Sequence, residues 1–298
     1  IKNILQQGIY TLISLYKGHI PNNYDKSKIK ELILSATTFV IKSFKKNNLF
    51  NEYYPNEDGY PPKAFTSNLL GDIFNEFPDF INLPDFKDVY KRININLSKL
   101  SEINASNQYA IGVSGLYKFL KIFPDLGNQI NINFHTDNLI KLQDIKEGWL
   151  NEYDGFDLGY LSVTLEALSE IYEISKNKRI KDSINLIIDF IYNVIDKKGQ
   201  LPFTINSRNT EYLLPYGLVK NLSENNKSGT ILNLLYENMD DVSHFIKGND
   251  DRYHSHYIFA SILKSLPLLK TKLNFKELEL VKYAIFDNAG LMKKYIKN

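Results

Sequence analysis

The sequence predicts an all-α fold, an α/α toroid, complete or incomplete, of about five to six helical hairpins. Apolar residues recur at helical spacing along most of the chain, and strand-like alternation is nearly absent. One set of predicted helices is amphipathic, while a second set follows polar, aromatic loops and is richer in Gly, Ala and Ser. The second set begins about every 50 residues, near positions 61, 107, 160, 212 and 256. Repeated hairpins with long loops on one rim describe a toroid, and an open superhelix of hairpins stays the alternative.

Prolines and glycines support the helices of the first half. Pro61 and Pro62 lie where prolines are tolerated, in the first turn of a helix. Gly112 and Gly115 predict that the helix containing them packs closely against a neighbour. Helical periodicity places the helices of this half at 27–46, 61–77, 85–100 and 107–123.

The second half is less uniform. Residues 125–148 are poorly periodic and rich in Asn and Asp, and they receive no assignment. The stretch QLPFTINSRNTEYLLPYG, residues 200–217, is predicted to form a short β-hairpin or an ordered loop. The whole chain, residues 1–298, is interpreted as one domain. Helices are predicted at 160–174, at 179–195, from near Leu218, and at 230–246, 256–269 and 275–289.

Composition narrows the classes of function. The 36 basic and 34 acidic residues give a formal charge of +2, and the Lys-rich pieces are short and scattered, which argues against a nucleic-acid partner. The chain contains no cysteine, so disulfides, thiolate catalysis and Cys-ligated zinc are excluded. No stretch approaches the roughly 18 apolar residues of a membrane span. Absence of cysteine fits the cytoplasm and a cell-envelope compartment equally.

One polar-aromatic phrase occurs twice. Asn-Glu-Tyr, followed by five residues and Gly-Tyr, begins at Asn51 and again 100 positions later at Asn151. Both copies precede a predicted helix, so they are interpreted as equivalent loops two hairpins apart on one rim. Gly59 and Gly159 are predicted to adopt a positive φ where the chain turns into each helix. Asp157 is predicted either to cap the helix N-terminus or to bind a substrate.

These polar loops have the composition of a sugar-binding surface. Aromatic rings can stack on the C–H faces of sugar rings, while carboxylates and amides take the hydroxyl groups. The grouping of Arg252, His254 and His256 is suited to acid–base chemistry on a uronic acid. The alternative interpretation is a pair of surface or helix-capping histidines. A metal site at these histidines would need a third ligand that the sequence does not identify.

A family resemblance rests on the second copy of the phrase. The stretch EYDGFDLGYLSVTLEAL, residues 152–168, resembles the Glu-Tyr-x-Gly-x-Asp-x-Gly-Tyr segment of heparinase II/III-like and alginate-lyase-like proteins. Residues 50–67 and 207–217 are similar to other rim segments of such proteins, and the likeness covers about residues 25–260. It implies an α/α-toroid domain that acts on polysaccharides, without the C-terminal β-sandwich of full lyases. It implies site roles for the residues that match its motifs, which are Glu152, Tyr153, Asp157, Tyr160, Arg208, Glu211 and Tyr212.

The leading hypothesis is a protein that acts on an acidic, uronate-containing bacterial polysaccharide by lyase, epimerase or hydrolase chemistry. For elimination or epimerisation, Tyr153, His254 or His256 would transfer the proton. Arg208 and Arg252 would then bind the substrate carboxylate. The alternative is a non-catalytic helical-repeat module that binds a glycan or a protein partner during surface-polysaccharide assembly.

Hydrolysis would use a pair of carboxyl groups instead. Glu152 would pair with Asp154 or Glu57 as acid and base. No metal and no cofactor is expected, and the partner is a poly- or oligosaccharide. The candidate catalytic residues are Glu152, Tyr153, His254 and His256, and the candidate substrate-binding residues are Tyr53, Tyr54, Glu57, Asn107, Tyr109, Asp157, Tyr160, Arg208, Glu211, Tyr212 and Arg252.

Overall fold

The computed structural model describes residues 7–45, 58–208, 210–241, 247, 258–269 and 275–295. This part of the chain is mostly helical and has one two-stranded antiparallel sheet, which confirms the all-α prediction. None of its helices is both long and apolar enough to cross a membrane. The helices are α1 (Ile9–Lys17), α2 (Lys26–Lys45), α3 (Tyr60–Glu76), α4 (Phe86–Leu97), α5 (Ser106–Ile122), α6 (Ile132–Lys141), α7 (Leu158–Ser175), α8 (Lys178–Val194), α9 (Tyr216–Asn221), α10 (Asn226–Glu237) and α11 (Phe259–Ser265).

The chain forms two compact units, and the first comprises residues 1–102, 108–137 and 251–267. Its core contains a cluster of aromatic side chains, because α3, α4 and α5 all contribute rings to the same interior. Tyr90 packs edge to face against Phe74 at 5.0 Å and against Phe119 at 5.3 Å between ring centres. Such contacts add stabilisation beyond the apolar area that they bury.

Glycines in α5 let this helix approach α3 within the first unit. A Cβ on Gly112 would collide with the Tyr60 hydroxyl, and a Cβ on Gly115 would collide with Ser67. The sequence prediction of close packing at both glycines is therefore confirmed. The buried Lys118 on the same helix pairs with Asp72 of α3 at 2.7 Å.

The second unit comprises residues 103–107, 138–250 and 268–298. Its helices α7 and α8 form a hairpin, which turns at the left-handed residue Lys176 (φ 52°). The following helices α9 and α10 pack against each other, and α9 also contacts α7 while α10 contacts α8. Successive helical hairpins in this unit therefore stack on their neighbours, as a repeated hairpin fold requires.

Most predicted helices lie where the sequence places them. The six predicted between 27 and 123 and between 160 and 195 agree with the structure to within three residues at each end. The second set of helices begins at Tyr60, Ser106, Leu158, Tyr216 and Phe259, which preserves the interval of about 50 residues.

Three segments differ from the expectation or complete it. The unassigned residues 125–148 contain α6, and the predicted helix 230–246 ends at Glu237 within the described residues. The described residues between 200 and 215 form a loop with a 3₁₀ turn at Phe203–Ile205 and no strand, and α9 begins at Tyr216. The helix α1 was not predicted. The single domain over residues 1–298 stays a prediction beside the two units.

The predicted helix at 275–289 is wrong, because residues 275–282 have no regular secondary structure and the residues after them form a β-hairpin. The strands are β1 (Tyr283–Phe286) and β2 (Leu291–Lys294), with Ile285 opposite Met292. Backbone N–H groups before β1 bond to side chains of α10 instead of to a helical turn: Leu278 N donates to Thr230 Oγ1 at 3.0 Å. Gly290 completes the tight turn with φ 63°.

The turn of this β-hairpin is held by acidic side chains of the second unit. Glu147 accepts hydrogen bonds from the backbone N–H of Asn288 at 2.7 Å and of Ala289 at 2.9 Å. It also accepts one from the indole N–H of Trp149 at 2.9 Å. Phe286 packs edge to face against Phe190 of α8, with 5.1 Å between ring centres. The hairpin is thus fixed at its turn and along one face.

The predicted positive φ at the two glycines of the repeated phrase is wrong. Gly59 has φ −62°, and Gly159 lies inside the first turn of α7 and is absent from the positive-φ residues. Gly159 is needed for space instead. A Cβ there would collide with the Thr210 side chain and lie 3.1 Å from the carbonyl oxygen of Tyr212.

Candidate functional site

The loop 150–157 of the second unit pairs with the backbone of residues 104–106. Ser106 N donates to Asn151 O at 3.3 Å, and Tyr153 N donates to Asn104 O at 2.6 Å. Ala105 and Glu152 form an isolated antiparallel β-bridge between these two segments. The second copy of the repeated phrase is therefore held against the start of α5, about one hairpin earlier in the chain.

The Glu152 side chain is turned into the interior and is only 1% exposed. Its carboxylate accepts hydrogen bonds from Ser106 Oγ at 3.0 Å, from Asn107 N at 3.1 Å and from Asn107 Nδ2 at 2.6 Å. These donors lie in the first turn of α5, where backbone N–H groups lack helical partners. Glu152 thus caps a helix that it does not belong to.

Burial raises the pKa of Glu152 from 4.5 to about 7, and the nearby charge of Asp157 acts in the same direction. The hydrogen bonds from Asn107 and Ser106 oppose this rise because they favour the ionised form. A carboxyl group with this pKa can exchange a proton near neutrality. The Glu152 carboxyl group is buried, however, so its proton would lie among protein hydrogen-bond donors and not at an open surface.

Asp157 is the N-cap of α7, which confirms the capping interpretation of this residue. Its Oδ1 accepts from Tyr160 N at 3.0 Å. Its Oδ2 accepts from Thr210 Oγ1 at 2.8 Å and from Arg208 N at 3.2 Å. Burial raises the pKa of Asp157, and these hydrogen bonds oppose the rise. Asp157 therefore joins the start of α7 to the loop that carries Arg208.

Tyr153 and Arg208 lie together on the surface of this unit. Tyr153 is 38% exposed, and the guanidinium carbon of the exposed Arg208 lies 4.6 Å from the centre of its ring. This is a cation–π contact, in which the planar guanidinium carries N–H donors along its edge. The pair offers an aromatic ring and a fixed positive charge on one surface.

Tyr153 has a left-handed backbone, with φ 53°, and Asp154 follows with φ 65°. Such a conformation is an outlier for a bulky residue and costs about 1–3 kcal/mol. The hydrogen bonds from Tyr153 N to Asn104 O and from Glu152 N to Gly155 O hold the turn. Strain of this kind, maintained by surrounding contacts, concentrates at functional sites.

The remaining described residues of the predicted site in this unit are Tyr160, Tyr212, Glu211 and Asn107. Tyr160 is half-buried and packs edge to face against the buried Tyr212, with 6.5 Å between ring centres. Glu211 is exposed in the same loop. Asn107 is buried, and its amide is engaged by Glu152. The packing role that the sequence allowed for Tyr160 agrees with this arrangement.

Tyr109 belongs to the first unit, where it is fully buried in α5. Its hydroxyl lies 3.0 Å from His135 Nδ1, and His135 Nε2 lies 3.0 Å from Ser98 O. Because a carbonyl only accepts, Nε2 carries the proton and Nδ1 accepts from the tyrosine. Burial lowers the pKa of His135, which favours this neutral form. No sequence pattern indicated His135, which lies in the unassigned segment 125–148.

Several residues of the predicted site lie outside the described residues, and their roles stay predictions. They are Tyr53, Tyr54, Glu57, Arg252, His254 and His256. Within the described ranges, no group of three or more His, Asp or Glu side chains could hold a metal ion.

Sequence reasoning also missed Asn206 and Thr210. Asn206 Oδ1 accepts from Leu158 N at 3.1 Å, and its Nδ2 donates to Thr210 O at 2.8 Å. Both residues are buried and short, and their partners lie at the start of α7, about one hairpin earlier. No local pattern could have identified them, because their role depends on a contact between distant loops.

Comparison with known proteins gives no relative for this chain. No protein-family model matches it, and neither a curated protein nor a solved structure matches it. The resemblance to heparinase II/III-like and alginate-lyase-like proteins therefore rests on the short motifs alone.

Proposed function

We propose that this chain is a carbohydrate-active protein that recognises an acidic, uronate-containing polysaccharide through the Tyr153–Arg208 pair. The observation that carries the proposal is the exposed Tyr153 ring under the Arg208 guanidinium, 4.6 Å away. A sugar C–H face can stack on the aromatic ring. A uronate carboxylate can at the same time accept from the planar guanidinium, which suits bidentate recognition.

The left-handed turn at Tyr153 supports the same proposal. A tyrosine in this backbone conformation costs stability that a glycine or an asparagine would not, so its exposed ring is expected to have a function. Asp154 and Glu211 are exposed on the neighbouring segments and offer acceptors for sugar hydroxyl groups. The proposed fold around this surface is the α/α toroid, with the decorated loops on one rim.

The proposed chemistry is lyase, epimerase or hydrolase action on the bound uronate. Tyr153 is the proposed proton-transfer group, because its ring is partly exposed next to a guanidinium that would stabilise developing negative charge. His254 and His256 stay candidates for the partner proton-transfer group. Glu152, enclosed by Ser106 and Asn107, would contribute through its hold on the loop.

A second candidate function is a non-catalytic module that binds an acidic glycan. The favouring observation is that the oxygens of the buried carboxyl groups Glu152 and Asp157 are engaged in helix caps and loop contacts. Carboxylates engaged in this way stabilise a surface rather than attack a ligand. Recognition without turnover needs only the Tyr153–Arg208 pair.

One experiment separates the two candidates. The protein is incubated with a panel of uronate-containing polysaccharides and matched neutral ones. Unsaturated products are followed by ultraviolet absorbance, hydrolysis by new reducing ends, and epimerisation by the ratio of uronate epimers in NMR spectra, and binding is measured on the same samples. Unsaturated products, new reducing ends or a changed epimer ratio support the enzyme. Binding of the acidic polymers with no product supports the module. If the protein neither binds nor converts any acidic polymer, the proposal as a whole is contradicted.

A further inference from the structure

Arg208 is fixed by its backbone, although its side chain is exposed. Arg208 N donates to Asp157 Oδ2 at 3.2 Å, and Thr210 Oγ1 donates to the same oxygen at 2.8 Å. The preceding Ser207 N donates to Phe156 O at 3.0 Å. The loop is thus hydrogen-bonded to the start of α7 on both sides of Arg208.

The side chain of Asn206 also bonds this loop to the start of α7. Its side-chain oxygen accepts from Leu158 N, and its side-chain nitrogen donates to Thr210 O at 2.8 Å. Asn206 and Thr210 therefore draw the two ends of the loop together, with Arg208 at its exposed tip. Both residues are buried, so neither can touch a ligand at the surface.

We propose that Asp157, Thr210 and Asn206 are positioning residues that hold Arg208 over Tyr153 and thereby set the specificity for acidic sugars. The inference rests on the proposed function of the Tyr153–Arg208 pair. Asp157 acts on that pair indirectly, through its hydrogen bonds to the loop that carries Arg208. An Arg side chain has many rotamers, and fixing its backbone lowers the entropy lost when it stacks and binds a carboxylate. A loose loop would keep the charge but lose its orientation toward the ring.

The substitution Thr210→Val tests this directly, because it keeps the shape and removes the hydroxyl donor. Affinity for an oligouronate is expected to fall roughly three- to tenfold, the range for one hydrogen bond. In an Arg208→Gln background the same substitution is expected to change affinity less than about twofold, since it acts through Arg208. Thr210→Ser restores the hydroxyl and is expected to restore affinity.

A matched control is available in the same unit. Thr230 is also buried, and its hydroxyl also contacts a segment distant in sequence, where it accepts from Leu278 N at 3.0 Å. Thr230→Val is expected to leave oligouronate affinity unchanged. An equal loss with Thr230→Val, or an undiminished effect of Thr210→Val in the Arg208→Gln background, would overturn the proposal.

A second measurement does not need a ligand. The Tyr153 ring is expected to shift the NMR signals of the Arg208 side-chain protons, because the guanidinium lies over it. This ring-current shift is expected to shrink with Thr210→Val and to persist with Thr230→Val. An unchanged shift in both variants would overturn the positioning role. If wild-type protein binds no oligouronate while the shift responds as expected, the positioning role holds and the proposed function fails.

Discussion

The guanidinium of Arg208 lies over the ring of Tyr153, with 4.6 Å between its carbon and the ring centre. The two residues come from loops about one helical hairpin apart, and each loop is anchored by a buried carboxylate. Glu152 ties the Tyr153 loop to the start of α5, and Asp157 ties the Arg208 loop to the start of α7. The exposed pair therefore depends on two loops that each bond to the start of an earlier helix.

The raised pKa of Glu152 makes stability depend on pH. A carboxyl group whose pKa rises from 4.5 unfolded to about 7 folded contributes stability below pH 4.5 that is lost as pH rises toward and through 7. The loss is on the order of 3 kcal/mol. Urea denaturation from pH 4.5 to 8 should show the free energy of unfolding falling across this window, and Glu152→Gln should flatten the fall.

The control for this experiment is Asp154→Asn, which removes an exposed carboxylate from the same loop and suits the left-handed backbone. It should leave the slope between pH 4.5 and 8 unchanged. A wild-type slope that Glu152→Gln does not alter would contradict the raised pKa of Glu152.

Tyr153 should cost the protein stability. Glycine adopts positive φ without strain, so Tyr153→Gly is expected to raise the free energy of unfolding by about 0.5–1 kcal/mol while it abolishes oligouronate binding. Chemical denaturation together with a binding titration measures both effects. Tyr236→Gly, at an exposed tyrosine near the end of α10, should instead lower stability by about 1 kcal/mol. A clear loss of stability with Tyr153→Gly would show that the turn is not strained.

Glu147 should control the attachment of the β-hairpin. Glu147→Ala removes the acceptor for Asn288 N, Ala289 N and the Trp149 indole, and it should lower the free energy of unfolding by about 1–3 kcal/mol. Hydrogen exchange at residues 283–294 should accelerate, and the fluorescence of Trp149, the single tryptophan of the sequence, should change.

Asp287→Asn is the matched control for the hairpin, because the Asp287–Lys146 pair is exposed on both sides. Surface pairs of this kind contribute about 0–1 kcal/mol, so exchange at the hairpin should stay nearly unchanged. Equal effects of the two substitutions would mean that Glu147 does not hold the turn.

Local sequence patterns correctly predicted the features that depend on neighbouring residues, such as helix caps and close helix packing. The capping role of Asp157 follows from its place before an apolar helical stripe, and close packing at Gly112 follows from its place inside one. The same rules failed at Gly159, where the missing Cβ makes room for Thr210, because that contact comes from a loop about 50 residues later. Residues 275–289 also read as helical, yet side chains of α10 take their backbone donors.

The candidate site was predictable in residue type and less so in geometry. The sequence brought Tyr153 and Arg208 into one hypothesis, and the structure brings them into contact. It could not indicate that Glu152 turns inward, since that depends on the donors offered by Ser106 and Asn107. Nor could it indicate the left-handed turn at Tyr153, which hydrogen bonds between distant loops maintain.

The most direct test of the central claim is the affinity of Arg208 variants for an oligouronate and for its neutral counterpart, measured by calorimetry at fixed salt. Wild-type protein is expected to prefer the acidic sugar. Arg208→Gln should lose that preference while keeping weak stacking on Tyr153, and Arg208→Lys should recover only part of it because a point charge lacks the planar fork. Equal affinities of wild-type protein and Arg208→Gln for the oligouronate would contradict the account.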